Sequence, residues 1–370
     1  MSELFIGLMS GTSVNAIDAV LMDFSKSNTH IVESFSQPIG NALKIEINRA
    51  IANQTWPQEI DELDTQFAKA SSQAVHHLLS KASLSASQIA AVGSHGQTVF
   101  HDPKGVPPIS IQIGHPQKIA DNTKITTIGN FRQADIDAGG QGAPLACAYH
   151  ELLFRNKKEN CAVLNLGGIA NITLLPADNT LNVIGFDTGP ANTLLDTWIK
   201  KHQSIEYDKN GAWAKAGMVN QGLLNLLLED EYFKLPPPKS TGREKFNPIW
   251  LQHKLDQYEE FVTENDVQAT LVALTVKSVT QAIQTWAPNT SRILLCGGGS
   301  NNAHLVSQLQ SENKNIHVEL TSTYGVSEEW MEAMAFAWLA KQTQEGKPGN
   351  LPSVTGASKS LVLGNIHDPI

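Results

Sequence analysis

Two copies of one local pattern constrain the fold of this chain more than any other feature. In each copy an apolar run, predicted to be a strand, enters a turn of small residues and leaves it as a second apolar run. The first copy spans residues 4–22 with its turn at 10–13, and the second spans residues 161–175 with its turn at 167–168. Two such hairpins, roughly 155 residues apart, indicate a duplicated α/β architecture with one glycine turn in each domain.

Composition narrows the class of protein. A chain of 370 residues that is 41% apolar and 17% charged is long enough for two packed domains. A net charge of -9 argues against a nucleic-acid partner, because no basic surplus drives counterion release. The three cysteines lack metal or disulfide spacing, and no apolar run approaches the ~18 residues of a membrane span. The N-terminus has no basic region before its short apolar run, so we expect no signal peptide, no membrane partner and a cytoplasmic location.

The first turn, at residues 10–13, offers backbone amides and hydroxyl groups that can bind phosphate oxygens. Its glycine permits close approach of the backbone to a ligand. An ordinary hairpin turn explains the same residues, and on this stretch alone that plainer interpretation is favoured. The chain contains no G-x-x-x-x-G-K-S/T pattern, which excludes a P-loop.

Two further glycine turns follow apolar strands, at residues 167–168 and at residues 297–299. Each is weak evidence by itself. Three together favour a nucleotide held in a cleft between two domains over three unrelated turns. We expect the phosphates of ATP on the two hairpin turns and its nucleoside near the third loop.

Asp187 is the candidate catalytic carboxylate. It follows an apolar run at residues 181–184 and stands beside a glycine turn, just before a predicted helix whose N-terminal amides can face an anion. A carboxylate in this position can act as a general base toward a hydroxyl or water. An aspartate also commonly caps a following helix, and the local sequence leaves both interpretations open.

Two loops carry arginine in glycine-rich or polar surroundings. Arg132 can bind a substrate carboxylate bidentately, or form a structural pair with Asp135 three residues on. In the second loop, residues 238–247, Lys239 and Arg243 form either a lid over phosphate or a solvated face.

The segment of residues 94–98 offers polar groups for sugar hydroxyls, carried by His95, Gln97 and Thr98. His95 and His101 invite a metal interpretation, but no cysteine or carboxylate cluster accompanies them. A satisfied loop histidine is the plainer interpretation, and no metal site is predicted.

With these motifs in order, nearly the whole chain resembles the anhydro-N-acetylmuramic acid kinase family of the hexokinase, Hsp70 and actin superfamily. The motifs that carry the resemblance occupy residues 6–13, 94–98, 139–145, 164–171, 186–190, 238–244 and 351–357. The resemblance implies two actin-like (ribonuclease H-like) domains with a nucleotide cleft between them. We expect one domain at residues 1–127 with 341–370, and the other at residues 128–340.

The resemblance also implies the reaction. Such enzymes cleave the 1,6-anhydro ring of anhydro-N-acetylmuramic acid and phosphorylate O6, with ATP and Mg²⁺ as cofactors. Asp187 matches the family's catalytic aspartate, which takes a proton from the attacking water, and a homodimer is plausible by the same resemblance. The implied ATP-binding residues are Ser10, Gly11, Thr12, Ser13, Val14, Asn15, Ala16, Ile17, Asp18, Gly167, Gly168, Asn171, Gly297, Gly298 and Gly299. The candidate substrate residues are His95, Gln97, Thr98, Arg132, Gly189, Asn192 and Glu332.

One departure from the family pattern stands in the first turn. Where relatives usually have aspartate and then glycine, this chain has Asn15 and Ala16. A lost carboxylate can weaken placement of Mg²⁺, and a lost glycine strains a turn that needs a positive φ. Two alternatives to the kinase therefore stay open: a non-catalytic sensor of nucleotide or sugar, and a kinase for another small sugar.

Overall fold

The structure, a computed structural model, describes residues 3–25, 30–52 and 57–370. The strands along the chain are β1 (Leu4–Met9), β2 (Ala16–Asp23), β3 (His30–Pro38), β4 (Ala91–Ser94), β5 (Gln97–Asp102), β6 (Ile109–Ile113), β7 (Thr127–Gly129), β8 (Cys161–Leu166), β9 (Ile169–Leu175), β10 (Ile184–Pro190), β11 (Arg292–Cys296), β12 (His317–Leu320) and β13 (Asn365–His367). The helices are α1 (Asn41–Ile51), α2 (Pro57–Ala82), α3 (Pro116–Thr123), α4 (Gln133–Asp137), α5 (Ala146–Phe154), α6 (Asn192–Gln203), α7 (Ala212–Lys215), α8 (Gln221–Leu228), α9 (Pro248–Gln257), α10 (Glu264–Trp286), α11 (Ala303–Glu312), α12 (Met331–Gln344) and α13 (Pro352–Thr355).

One sheet topology occurs twice in the chain. The first sheet has the order β13-β7-β4-β1-β2-β3, and the second has the order β10-β9-β8-β11-β12. In both, a three-stranded antiparallel meander is followed by two strands parallel to the first, β4 and β7 in one sheet and β11 and β12 in the other. This is the ribonuclease H-like arrangement, so the duplicated α/β fold predicted from the two hairpins is confirmed.

The glycine turns sit at equivalent places in the two sheets. The turn at residues 10–15 joins β1 to β2, and the turn at residues 167–168 joins β8 to β9. The flanking strands are largely buried, which matches their continuous apolar sequences. Each turn therefore lies at the end of two paired, largely buried strands inside its sheet.

Helix α12 packs on the first sheet because two strand glycines leave room for it. Gly7 on β1 and Gly93 on β4 are partners in the parallel register. A Cβ on Gly7 would overlap the backbone oxygen of Ala333, and one on Gly93 would overlap that of Phe336. A helix backbone that approaches a sheet this closely requires glycine beneath it.

The chain divides into two compact units, Met1–Tyr149 with Trp330–Ile370, and His150–Glu329. The domain boundaries expected from the sequence were instead after residue 127 and after residue 340. Strand β7 belongs to the first sheet, and α12 packs on β1 and β4, so both elements join the first unit. Strand pairing and helix packing of this kind connect residues far apart in the chain, which local composition does not reveal.

The second unit has its own core, centred on α10. Thr263 caps the N-terminus of this helix by accepting from the Asp266 amide at 3.3 Å. Apolar residues of β8, β9, β11, α6 and α10 form one buried cluster. This cluster therefore packs against the strands that carry the second and third glycine turns.

Candidate functional site

The first turn is fastened at its base and open at its tip. The Ser10 hydroxyl is buried and donates to Oε1 of Gln97 at 2.8 Å, which ties the turn to the segment of residues 94–98. Val14 has φ 53°, an uncommon conformation for a β-branched residue, and its side chain is fully buried. Thr12 and Ser13 are exposed at the tip, where their hydroxyls and amides are available to an anion.

Asn15 and Ala16, the residues that depart from the family pattern, do not have a positive φ. Ala16 lies in β2, paired with Pro38, and is not among the residues with positive φ. The left-handed conformation falls on Val14 instead, so the missing glycine removes nothing that the turn needs. Asn15 is exposed, and its side-chain oxygen accepts from Nζ of Lys44.

Ile17 and Asp18, also predicted for this part of the nucleotide site, differ in whether their side chains are available to a ligand. Ile17, like Val14, packs into the core, so its side chain is not available to a ligand. Asp18 pairs in register with Met9 at the end of β1, and its carboxylate accepts from the Ser36 hydroxyl at 2.7 Å.

His95 is directed inward rather than toward solvent. Its Nδ1 lies 2.8 Å from the carbonyl oxygen of Gly96, so this nitrogen carries the proton. Its Nε2 accepts from Nη2 of Arg132 at 2.8 Å. Burial, and next the charge of Arg132, hold the pKa of His95 well below its usual range. The structure therefore assigns both ring nitrogens of His95 to contacts within the first unit, and the histidine is a support for Arg132.

The alternative pairing of Arg132 with Asp135 does not describe the structure. Besides the bond to His95, Nη1 of Arg132 donates to the Gly142 carbonyl at 2.6 Å. Asp135 is fully buried and accepts from the Gly142 amide at 2.8 Å and from Nδ2 of Asn350 and Oγ1 of Thr355, each at 2.7 Å. Both side chains thus hold Gly142 in the glycine-rich segment of residues 139–145, Arg132 at its carbonyl and Asp135 at its amide.

The other candidate substrate residues of the first unit are partly committed to internal contacts. Thr98 accepts from Nε2 of Gln112 at 3.2 Å, and Gln97 is bonded to Ser10. Glu332 lies, partly buried, in the first turn of α12. Gln97 and Thr98 belong to one chain of hydrogen bonds, because Nε2 of Gln97 donates to the Thr98 carbonyl at 3.2 Å.

In the second unit, the start of α6 holds the second glycine turn. The amides of Ala191 and Thr193 donate to the Gly168 carbonyl at 3.0 Å, and the Asn192 amide donates to the Gly167 carbonyl at 3.1 Å. The prediction that the first amides of this helix face an anion is wrong, because they are used to fix the turn. The turn is in consequence a rigid support for whatever binds on it.

The third glycine loop meets the second turn within the same unit. Gly297 has φ 80°, which favours glycine, and a Cβ on Gly299 would come within 3.0 Å of Nδ2 of Asn192. That Nδ2 also donates to the Leu166 carbonyl at 3.0 Å. A Cβ on Gly298 would meet nothing within 4 Å, so this residue presents open backbone. The structure brings together the second turn, the third loop and Asn192.

Asp187 lies near the end of β10 and is held on both carboxylate oxygens. Its Oδ1 accepts from Nδ2 of Asn171 at 2.9 Å, and its Oδ2 accepts from the backbone amide of Thr241 at 2.9 Å. Helix α6 begins without a side-chain cap, after Ala191. The alternative that Asp187 caps this helix is therefore wrong, and its carboxylate is instead held by the two donors.

The loop that contains Thr241 was recognised in the sequence, but its role was not. The Lys239 carbonyl accepts from the Asp187 amide at 3.2 Å, and the Tyr232 hydroxyl donates to the Asp187 carbonyl at 2.7 Å. Lys239 is buried, with its Nζ 3.0 Å from the Tyr232 carbonyl, and burial lowers the pKa of Lys239 to about 8. The solvated-face interpretation of Lys239 is wrong. The unusual composition of residues 238–247 was the only signal in the sequence for these contacts.

Gly189, two residues beyond Asp187, is enclosed by side chains. A Cβ at this position would come within 2.7 Å of the Phe233 ring. The pairing of β10 with β9 also shifts between Asp187 and Gly189. Such a bulge can re-aim the side chain beside it.

The described residues contain neither a metal-binding cluster nor a membrane-spanning helix. Across residues 3–25, 30–52 and 57–370, no group of three or more His, Cys, Asp or Glu is arranged to hold a metal ion. Over that same part of the chain, no helix is long and apolar enough to cross a membrane.

A duplicated ribonuclease H-like sheet with a glycine turn in each copy is the framework of the actin-like kinases, and the carboxylate at the end of β10 fits that class of protein. A family model described as anhydro-N-acetylmuramic acid kinase matches residues 3–369. The chain belongs to the anhydro-N-acetylmuramic acid kinase family.

The relatives agree with this assignment over their full lengths. An anhydro-N-acetylmuramic acid kinase from Coxiella burnetii is 47% identical over 369 residues, which are 99% of this chain and 97% of that protein. One from Saccharophagus degradans is 44% identical over 373 residues, which are 99% of each chain. A solved activator of the 2-hydroxyisocaproyl-CoA dehydratase from Clostridium difficile, with bound ADPNP, is 14% identical with a TM-score of 0.48, covering 92% of this chain and 97% of that one. At that score it adds nothing to the family assignment.

Proposed function

We propose that this protein is an ATP-dependent kinase that hydrolyses the 1,6-anhydro ring of 1,6-anhydro-N-acetylmuramic acid and phosphorylates O6. The products are N-acetylmuramic acid 6-phosphate and ADP, which places the enzyme in the recycling of cell-wall sugars. Family membership over residues 3–369 supports the substrate. The observation that carries the chemistry is the orientation of Asp187, whose two oxygens accept from Asn171 and Thr241.

Asp187 is proposed as the general base. It takes a proton from a water molecule, and that water attacks the anomeric carbon. The bond from the anomeric carbon to O6 breaks, and O6 then accepts the γ-phosphoryl group of ATP, releasing ADP. Hydrogen bonds from two donors favour the ionised carboxylate, which is the form that can accept a proton.

ATP is proposed to enter as its Mg²⁺ complex. In phosphoryl transfer the metal ion neutralises charge on the β- and γ-phosphates. Mg²⁺ keeps several waters and needs only one or two protein carboxylates, so a site without a three-residue cluster fits it. Asp18, beside the first turn, is the carboxylate we propose for this role.

The phosphates are proposed to bind the glycine turns at residues 10–15 and 167–168, and the nucleoside the loop at residues 297–299. The exposed Thr12 and Ser13 and the open backbone of Gly298 support this assignment. For the sugar, Arg132 is proposed to bind the substrate carboxylate, with His95 as its support. A cytoplasmic location remains a prediction from the sequence, and a homodimer remains a prediction from the resemblance.

The sensor alternative depended on Asn15, and the structure weakens it. Asn15 lies exposed at a turn that is unstrained at Ala16, whereas Asp187 keeps both of its hydrogen-bond donors. The kinase is therefore favoured.

The experiment is a coupled assay of ADP release by the purified protein with Mg-ATP, in the presence and absence of anhydro-N-acetylmuramic acid. We expect ADP release only with the sugar. Equal release without sugar, or none from protein shown to be folded and to bind ATP, would overturn the proposal. A panel of other small sugars distinguishes a kinase of different specificity.

A further inference from the structure

In the second unit, the guanidinium of Arg243 has a buried nitrogen without a hydrogen-bond partner, and the nearby charge of Asp196 acts on it. Asp196 lies on α6, and Arg243 lies in the loop of residues 238–247. Each changes the pKa of the other through its charge. Within the described part of the chain, however, neither side chain forms a hydrogen bond or an ion pair, and Nε of Arg243 is buried without a partner.

This arrangement is costly unless something else binds there. A buried donor with no acceptor loses its hydration and gains nothing in return. Asp196 is in a similar state, because burial raises its pKa to about 7, and the charge of Arg243 only partly offsets that effect. The other charged groups that face Asp196 are Glu206 and Asp208, and both disfavour its ionised form. A ligand that accepts from Arg243 and donates to Asp196 would satisfy both residues.

The surroundings of Asp196 connect it to the glycine loops. Asp196 lies one helical turn after Asn192, whose amide holds the Gly167 carbonyl, so the two side chains share a face of α6. Asp208, which faces Asp196, precedes Gly211, and a Cβ on Gly211 would overlap Asn302 at the start of α11. Asn302 ends the short helical turn, Gly298–Asn301, that contains most of the third glycine loop.

Arg243 is connected to the catalytic carboxylate. It follows Thr241 by two residues, and the Thr241 amide donates to Oδ2 of Asp187. Asp196 thus lies next to the predicted nucleoside loop, and Arg243 lies near the proposed base. A ligand that contacts both residues needs an acceptor for Arg243 and a donor for Asp196.

We propose that Asp196 and Arg243 bind the nucleotide: Arg243 donates to a phosphate oxygen, and Asp196 accepts from a ribose hydroxyl. This inference rests on the proposed function, since it takes the ligand to be ATP. Arginine suits phosphate because its planar guanidinium offers several donors, and a carboxylate is a strong acceptor for a hydroxyl.

The test uses nucleotide binding, measured by calorimetry on the full chain, so it does not depend on turnover. For Arg243→Met we expect ADP to bind about ten-fold more weakly or worse, with Arg243→Lys in between, while adenosine binding is unchanged. For Asp196→Asn we expect weaker binding of both ADP and adenosine. The wild type is expected to bind at least one of 2′-deoxy-ADP and 3′-deoxy-ADP more weakly than ADP, whereas Asp196→Asn makes no such distinction. Lys245→Met, in the same loop, is the charge-matched control, because Lys245 pairs with Asp230 at 2.9 Å.

Thermal unfolding distinguishes ligand binding from a structural pair. Because neither side chain holds an internal hydrogen bond and the buried Nε of Arg243 is uncompensated, Asp196→Asn and Arg243→Met should unfold at or above the wild-type temperature without nucleotide. The wild type should bind adenosine, which does not itself titrate in this range, more tightly as the pH rises from 6 to 8 and Asp196 ionises, and Asp196→Asn should lose that dependence.

Wild-type affinity for ADP in both variants would overturn the proposal, as would a fall in unfolding temperature without a change in affinity. If only the KM for the sugar changed, the pair would belong to the sugar site and the proposal would also fail. A wild type that binds ADP through these residues but shows no sugar-dependent ADP release would overturn the proposed function alone.

Discussion

The backbone amide of Thr241 donates to Oδ2 of Asp187 at 2.9 Å, across 54 residues of chain. Through this bond a loop with no regular secondary structure orients the carboxylate at the end of β10. Asn171, on the neighbouring strand β9, holds the other oxygen at 2.9 Å. The proposed base is therefore positioned by one strand and one loop, and movement of the loop would change the orientation of its carboxylate.

Replacing Asp187 by asparagine tests its role as the base. Asp187→Asn keeps the shape of the side chain but removes the proton acceptor, so we expect kcat to fall by about 10²–10⁴-fold. One of the two donors then faces an NH2 group, and we expect a loss of about 1 kcal/mol in the free energy of unfolding. Steady-state kinetics and urea unfolding measure the two effects. Asp256→Asn, exposed on α9, is the control, and a variant at 187 that kept most of its turnover would contradict the assignment.

Asn15 tests the effect of charge at the first turn. Asn15 holds Nζ of Lys44 without neutralising it, whereas Asn15→Asp would form an ion pair there. Because the positive potential beside the phosphates falls, we expect the KM for Mg-ATP to rise about threefold, within the range of a single exposed charge pair. The change should shrink as salt is added. Tighter binding of Mg-ATP by Asn15→Asp would instead indicate that a carboxylate at this position helps to place Mg²⁺.

His150 makes the second unit sensitive to acid. It is buried, its Nδ1 lies 2.9 Å from the Thr173 hydroxyl, and burial lowers its pKa to about 4. Between pH 6.5 and 4 the unfolded chain binds a proton at this residue that the folded chain does not. The free energy of unfolding therefore falls as the pH falls, by up to about 1.4 kcal/mol per pH unit from this residue.

Urea unfolding at several pH values measures that contribution. We expect His150→Gln to lower the slope of stability against pH over this window, whereas His253→Gln, exposed on α9, should leave it unchanged. An equal slope in the His150 variant and the wild type would show that other groups dominate the acid response.

Asp135 is expected to be a stability residue of the first unit. Its buried carboxylate accepts from three donors, on Gly142, Asn350 and Thr355. In Asp135→Asn at least one donor loses its acceptor, which should cost about 2–3 kcal/mol in the free energy of unfolding. Asp137→Asn is the matched control, since Asp137 is exposed on the same helix. Equal stability of the two variants would contradict this account.

Local patterns were sufficient to predict the duplicated hairpins and the family. A glycine turn between two apolar strands depends on residues that are neighbours in the chain. The sequence also led to Asp187, because a carboxylate beside a glycine turn at a strand end is visible in a short window.

Longer-range contacts were not predictable in this way. The helix amides near Asn192 were expected to face an anion, but they hold the turn at residues 167–168. Arg132 was given Asp135 as its alternative partner, yet it is bonded to His95, 37 residues earlier. For Arg132 the neighbour in sequence was the wrong partner. For the helix amides, carbonyl groups of a distant turn take the place of the expected anion.

The sequence by itself determined the fold class, the family and the candidate base, because these depend on the order of residue types along the chain. Only the tertiary structure decided that Thr241 and Asn171 orient Asp187, that Asp135 reaches Thr355, and that the charge of Asp196 acts on Arg243. Hydrogen bonds between distant residues form only after the sheets have brought them together, and which donor meets which acceptor is then a matter of packing that no local pattern records.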